Sequence, residues 1–218
     1  MEHQKRRVAC FVDGFNLYHS IDELRENQKT LHYLKWLDLK KLVNALIIQS
    51  KETITDIHYF SAYAVWLPDA VARHKQYVMA LKSVGVNIKL GQFKNKSRSC
   101  KQCKSEWIGH EEKESDVNFA VELLNRTWKK EFDKAIIITA DTDIVPVLQM
   151  IKKDHPDLEL TAAIPEKRYG KAIALREACH NSMRIKKKHL ENSLFSETIV
   201  DSTGKILVTC PLKYKQNY

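Results

Sequence analysis

The chain has 218 residues, 44% hydrophobic and 29% charged, which is enough apolar content for a packed core and excludes disorder along the whole chain. Its 36 lysines and arginines outnumber 27 aspartates and glutamates, and the formal charge of +9 favours polyanionic partners through encounter rate and counterion release. No apolar run approaches the roughly 18 residues that span a bilayer. The N-terminal segment has no secretory apolar core, and five cysteines, an odd number with two spaced C-x-x-C, do not suit a secreted disulfide scaffold, so the expected location is the cytoplasm.

In chain order, residues 8–12 read as a buried strand ending in a turn at Asp13-Gly14. Residues 16–26 place Leu17, Ile21 and Leu24 at helical spacing, and Asp38 is positioned to cap a second helix carrying Leu39, Leu42, Val43 and Leu46. The β-prone segment 56–65 is a strand, and Pro68-Asp69 opens a helix that Gly85 ends. Residues 86–90 alternate as a strand. A polar, cysteine-containing basic loop is expected over 94–110, followed by an amphipathic helix over 114–130 burying Val117, Ala120, Val121, Leu124 and Trp128. Residues 135–139, with three consecutive isoleucines, suit a central parallel strand covered on both faces, after which Asp141 is expected to cap a helix. A further strand over 158–164 and a helix over 171–179 follow. The terminal residues 191–218, with Gly204 between two β-prone runs, read as a hairpin or a tail. Strands alternating with helices imply an α/β fold: a mainly parallel sheet with helices on both faces, in three layers, over residues 1–190.

In such sheets, ligands bind beyond the carboxyl ends of the strands. Asp13 follows the first strand, Asp141 and Asp143 follow the isoleucine strand, and Asp116 lies in the first turn of the helix between them. Carboxylates gathered on one rim repel one another unless protonated or neutralised, and Mg²⁺ or Mn²⁺, which prefer oxygen ligands, would relieve that repulsion. Taken singly, Asp141 is an ordinary helix cap and Asp13-Gly14 an ordinary turn; four such placements on one rim point to a metal site.

Three segments carry a resemblance: residues 11–17 (FVDGFNL), 111–117 (EEKESDV) and 139–143 (TADTD). In order and spacing they resemble the motifs of the NYN domain family, which belongs to the PIN-like nucleases and includes the LabA-type proteins. The resemblance covers roughly residues 7–190. It implies a PIN-like fold, dependence on Mg²⁺ or Mn²⁺, and cleavage of RNA phosphodiester bonds. Asp13, Asp116, Asp141 and Asp143 match the family's acidic positions and Asn16 the asparagine of its first motif, which makes these five the expected catalytic residues. Glu112 is a weaker member of the set. Ala140 and Ile144 depart from the glycine and phenylalanine usual there, and neither departure removes an oxygen ligand. An RNA-binding regulatory module with a weak or inactive site is the alternative. A haloacid dehalogenase-type phosphatase is disfavoured, since position 15 is phenylalanine where that chemistry needs a second aspartate.

Cys100 and Cys103 have the spacing of a zinc knuckle, and His110 is a candidate third ligand for Zn²⁺, with no fourth apparent; the alternative is two free thiols. Lys94, Lys96, Arg98, Lys101 and Lys104 would grip an RNA backbone, single-stranded or structured, beside the acidic rim. Trp107 is the preferred base-stacking residue, with Trp66, Tyr63 and Phe15 as further candidates.

Overall fold

The computed structural model describes residues 4–26 and 29–216. The first apolar run forms strand β1 (Arg6–Asp13), which passes directly into helix α1 (Gly14–Asp22). No turn intervenes where one was expected. Asp13 caps the helix, its Oδ1 accepting from the Asn16 amide at 2.9 Å, so the helix starts and ends earlier than the spacing of Leu17, Ile21 and Leu24 suggested. Crowding explains the glycine: a Cβ on Gly14 would lie 2.3 Å from the Tyr59 ring.

Two short strands, β2 (Arg25–Glu26) and β3 (Lys29–Thr30), precede helix α2 (Leu39–Leu46), which Asp38 caps through the amides of Lys40 and Lys41 as expected. Strand β4 (Glu52–Ala62) follows, then α3 (Pro68–Ser83), closed by Gly85 at φ +85°.

The segment expected to be a loop over 94–110 is instead most of a β-hairpin. Strand β5 (Asn87–Ser99) runs on past the end of β4 and pairs antiparallel with β6 (Glu106–Lys113). Its alternation of lysine, asparagine, serine and arginine carries no apolar face, because beyond Phe93 the residues of β5 are exposed and the strand is held by backbone pairing.

Helix α4 (Ser115–Trp128) buries Ser115, Phe119, Leu123 and Thr127. The expected face was wrong: Val117, Val121 and Trp128 are exposed, while Ala120 and Leu124 are half-buried. Phe119 decides the orientation, its ring lying 6.0 Å from Phe11 and 5.0 Å from Phe60.

Strand β7 (Lys134–Ile138) is buried throughout, as three isoleucines in a central parallel strand require. Helix α5 (Val145–Asp154) has Ile144, not Asp141, at its cap position. Strand β8 (Glu159–Pro165), the short helices α6 (Glu166–Tyr169) and α7 (Ile173–Ala178), strand β9 (Asn181–Ile185) and helix α8 (Lys187–Glu191) complete the layered body. Strands β10 (Thr198–Val200) and β11 (Ile206–Thr209) form a hairpin across Gly204, and Val208, Cys210 and Tyr214 are buried against the body.

The main sheet has strand order β6-β5-β4-β1-β7-β8-β9, parallel except for β6. Alternate residues of one strand serve opposite faces. Val8, Cys10 and Val12 of β1 join Ile136 and Ile138 of β7 in one apolar cluster with α1, α2 and α3. Ala9 and Phe11 join Ala135 and Ile137 in a second cluster with α4, α5 and α7. The result is three layers. The chain winds outward from β1 to β4 and β5, then crosses back to β7 on the other side of β1, so the sheet reverses direction beside β1 and a crevice opens at the carboxyl ends of β1 and β7.

Candidate metal centre

Val12 pairs with Ile138 across β1 and β7, so Asp13 and Thr139 emerge side by side where both strands end. Thr139 is fully buried, and its hydroxyl donates to Asp13 Oδ2 at 2.8 Å while accepting from the Asp141 amide at 3.0 Å. Asn16, one turn into α1, reaches across with its Oδ1 to accept from the Ala140 amide at 3.0 Å. The 139–141 turn is therefore held from two directions. Asn16 acts on the turn's backbone instead of capping its own helix, a task taken by Asp13. Asp141 Oδ1 accepts from the Asp143 amide at 2.9 Å, closing a local turn in place of the helix cap expected of it.

Helix α4 delivers Asp116 to the same place. Asp13, Asp116 and Asp141 each offer a carboxylate oxygen within 4.8 Å of the others, and they are the single group of three or more histidine, cysteine or acidic ligands meeting that limit among the described residues. Asp143, expected as a fourth member, lies outside this group, although its charge helps raise the pKa of Asp116. Glu112, on β6, borders the group and accepts from the Ser115 hydroxyl at 2.5 Å.

The electrostatics are those of crowded carboxylates, which a proton or a cation would relieve. Burial pushes the Asp13 carboxyl up to about 7 against its hydrogen bonds from Asn16 and Thr139, and the charges of Asp116 and Glu112 raise it further. Burial also raises Asp116, reinforced by Asp141 and Asp143, and it raises Glu112. No lysine or arginine pairs with Asp13, Asp116 or Asp141 among the ion pairs of the described residues. Three hard oxygen donors with uncompensated charge fit a divalent ion such as Mg²⁺ or Mn²⁺.

The cysteine pair is arranged differently. Cys100 and Cys103 sit at the tip of the β5–β6 hairpin, while His110 pairs with Asn95 well down the ribbon. The His110 ring stacks on Trp66 at 3.6 Å and its Nδ1 meets Asn95 Oδ1 at 3.0 Å, so the fold does not bring it to the thiols. Cys103 is exposed, and its thiol is lowered to about 7 chiefly by the Ser105 hydroxyl at 3.0 Å.

Alternation sorts the hairpin's other residues by face. Lys94, Lys96 and Arg98 share one face, opposite Glu111, Gly109 and Trp107. Lys101 and Lys104 lie at the tip. Phe93, His110 and Glu112 occupy the other face, and that is the one turned to the acidic group: Phe93 meets Phe15 at 6.1 Å, and Glu112 lies close enough to raise Asp13. The basic residues thus flank the site from behind the strand that borders it. Trp107 is half-exposed on the basic face.

The model of the NYN domain matches residues 7–186. The chain belongs to the NYN domain family, a PIN-like nuclease family. Its match spans both strand ends and the acidic helix. A curated relative, 6-hydroxy-3-succinoylpyridine 3-monooxygenase HspA from Pseudomonas putida, is 28% identical over 76% of this chain, which spans 61% of that protein's length. Among solved structures, a protein of unknown function from Vibrio parahaemolyticus, VPA0982, superposes with a TM-score of 0.58 at 16% identity, covering 89% of this chain and 99% of that one. That likeness concerns the fold alone.

Two contributors were not singled out in the sequence. Thr139 stands in a quoted motif, and its signal is a hydroxyl directly after an unbroken apolar strand. Ser115 precedes Asp116 and anchors Glu112.

Proposed function

We propose that this NYN domain is a Mg²⁺- or Mn²⁺-dependent endoribonuclease. One observation supports the reading: carboxylates from three distant segments converge within 4.8 Å, with no lysine or arginine paired to them among the described residues. Asp13, Asp116 and Asp141 would hold the ion, with Asp143 beside them as a fourth acidic ligand once substrate is present. A bound divalent ion supplies Lewis acidity toward a phosphate oxygen and lowers the pKa of a water. Asn16 and Thr139 keep the 139–141 turn in register with Asp13. Glu112, its carboxyl raised by burial, would orient the attacking water and take its proton as that water's oxygen bonds to phosphorus and the P–O bond to the leaving oxygen breaks, the leaving oxygen taking a proton from solvent. Lys94, Lys96, Arg98, Lys101, Lys104 and Trp107 would hold flanking nucleotides along the hairpin. The described cysteines are all free thiols, which fits a reducing cytoplasm. A structural Zn²⁺ at Cys100 and Cys103 would need ligands other than His110.

Incubating varied RNAs with Mg²⁺ or Mn²⁺ tests the reading. The wild-type chain should cut, chelator should stop it, and Asp141→Asn should reduce the rate on the order of a hundredfold or more, the scale of losing one electrostatic stabiliser of a transition state. Cutting that survives both changes counts against the enzyme, and RNA binding without cutting favours the regulatory alternative. A second reading has its own support: HspA is named for a substituted pyridine, and an aromatic-walled cavity adjoins the acidic group here, so the same site could act on a small heteroaromatic.

A further inference from the structure

A cavity of about 340 Å³ is lined by Gly14 and Phe15, the residues that follow Asp13, and by Tyr59, whose hydroxyl is raised by burial and by the charges of Asp13 and Glu112; its size falls in the range of ~300–1,000 Å³ typical of small-molecule sites. Its walls are aromatic. Trp66 meets Phe93 edge-on at 4.7 Å, Phe15 meets Phe93 edge-on at 6.1 Å, and Trp66 lies flat on His110. Rings presented at right angles to one another offer both a face and an edge to a further flat ring.

The lining presents mostly apolar surface, and several of its polar groups are already paired. Tyr59 and His74 share a hydrogen bond at 3.3 Å, and burial pushes the His74 imidazole down to about 4, so it is neutral at physiological pH and offers one donor and one acceptor nitrogen. Lys35 borders the cavity already committed, its ammonium 2.5 Å from Asp22 and over the Tyr18 ring. A strongly anionic occupant therefore finds no free cation among these lining residues, whereas a neutral heterocycle finds stacking surface and a few hydrogen-bonding atoms.

Position selects the kind of heterocycle. Gly14 and Phe15 line the cavity directly after Asp13, and Phe93 pairs with Glu112 across the hairpin. A ring in the cavity is thus a neighbour of the acidic group, as a base is of its own phosphate. The opposite face of the same hairpin carries Lys94, Lys96 and Arg98.

We propose that the cavity walled by Phe15, Trp66, Phe93 and His110 receives one unstacked base of single-stranded RNA while the adjoining phosphate lies at Asp13, Asp116 and Asp141. This rests on the ribonuclease reading and adds a subsite to it. Stacking surface is shared by all bases, so the site should accept purines and pyrimidines with modest preference.

The test reads binding without cleavage. Short single-stranded RNAs carrying 2-aminopurine are titrated with the full chain in Ca²⁺ in place of Mg²⁺ or Mn²⁺, so that the carboxylates stay neutralised, and emission falls as the base stacks. Trp66→Ala should weaken binding between roughly 5- and 150-fold, the span of one base–aromatic stack. Ala70→Phe, which fills the cavity from helix α3 and keeps Trp66, should do the same while thermal melting stays native. Quenching unchanged in both folded variants would overturn the proposal. So would tight binding of a free hydroxypyridine to the cavity with no quenching by RNA. If quenching holds but no RNA is ever cut, the base site stands and the ribonuclease reading falls; cleavage that is indifferent to both variants does the reverse.

Discussion

Thr139 shows how one hydroxyl can organise a charged site. It is fully buried at the end of an isoleucine strand, donates to Asp13 and accepts from the Asp141 amide, so two of the clustered aspartates, from the ends of different strands, are tied to one atom. Valine has nearly the same shape and lacks both hydrogen bonds. Thr139→Val should therefore keep the fold, leave the Asp141 amide without its partner, and lower Mn²⁺ affinity or RNA cleavage by about 10–100-fold, the usual effect of losing an outer-shell partner. Mn²⁺ titration by calorimetry beside a thermal melt separates the two effects; an unchanged affinity would show that the turn is held by Asn16 alone. Asn16 stood out in the sequence through its motif, but the contact it makes did not: its carbonyl holds the Ala140 amide across the crevice, between residues 124 positions apart.

At the scale of elements, the β5–β6 hairpin departs furthest from expectation. Burial-driven alternation is what betrays a strand in sequence, and this ribbon buries almost nothing beyond Phe93, so its lysines and serines read as loop. Its strand character matters for function because it gives the cations a side. Lys94, Lys96 and Arg98 project together, though Lys96 is partly engaged with Glu111 at 3.2 Å. Replacing all three by alanine should weaken RNA binding and flatten its logarithmic salt dependence by up to about 2, at ~0.7 per phosphate contact on a single strand. Binding isotherms at several salt concentrations check this, and an unchanged slope would place the RNA on the other face of the hairpin. Helix α4 teaches a related lesson. Valines and a tryptophan suggested its inner face, yet Phe119 fits against Phe11 and Phe60 and turns Val117, Val121 and Trp128 outward.

Across the whole molecule, two apolar clusters clamp the sheet, and buried histidines make their stability depend on pH. His58 stacks on Phe11 at 5.0 Å with no hydrogen-bond partner for its Nε2 among the described residues, and burial holds it near 4, as it does His74. Both folded values lie below the ordinary 6.5 of an unfolded histidine. Protons thus bind these two histidines in the unfolded chain first: their contribution to stability is complete above about pH 6.5 and is lost as pH falls toward about 4, while the raised Asp13 carboxyl contributes with the opposite sign. Melting temperatures below about pH 6.5 should therefore carry a histidine-dependent decline, read by comparison of the wild type with a variant because Asp13, raised to about 7, opposes it over the same range. His58→Phe should make the decline shallower without loss of the sheet; an equally steep decline would assign the acid sensitivity elsewhere.

The chain's own residue order determined the alternation of strands and helices, the central isoleucine strand, the Asp38 and Gly85 boundaries, and the aspartates at strand ends, because each is written in local periodicity or in a residue that caps or stops an element. Family motifs made the membership readable as well. Only the tertiary structure decided which carboxylates meet, with Asp116 drawn in and Asp143 left at the margin, which face of α4 is buried, and that His110 stacks on Trp66 away from the cysteines. Those outcomes depend on packing between segments far apart in sequence, where the shape of a partner such as Phe60 or Trp66 outweighs any pattern within the segment itself.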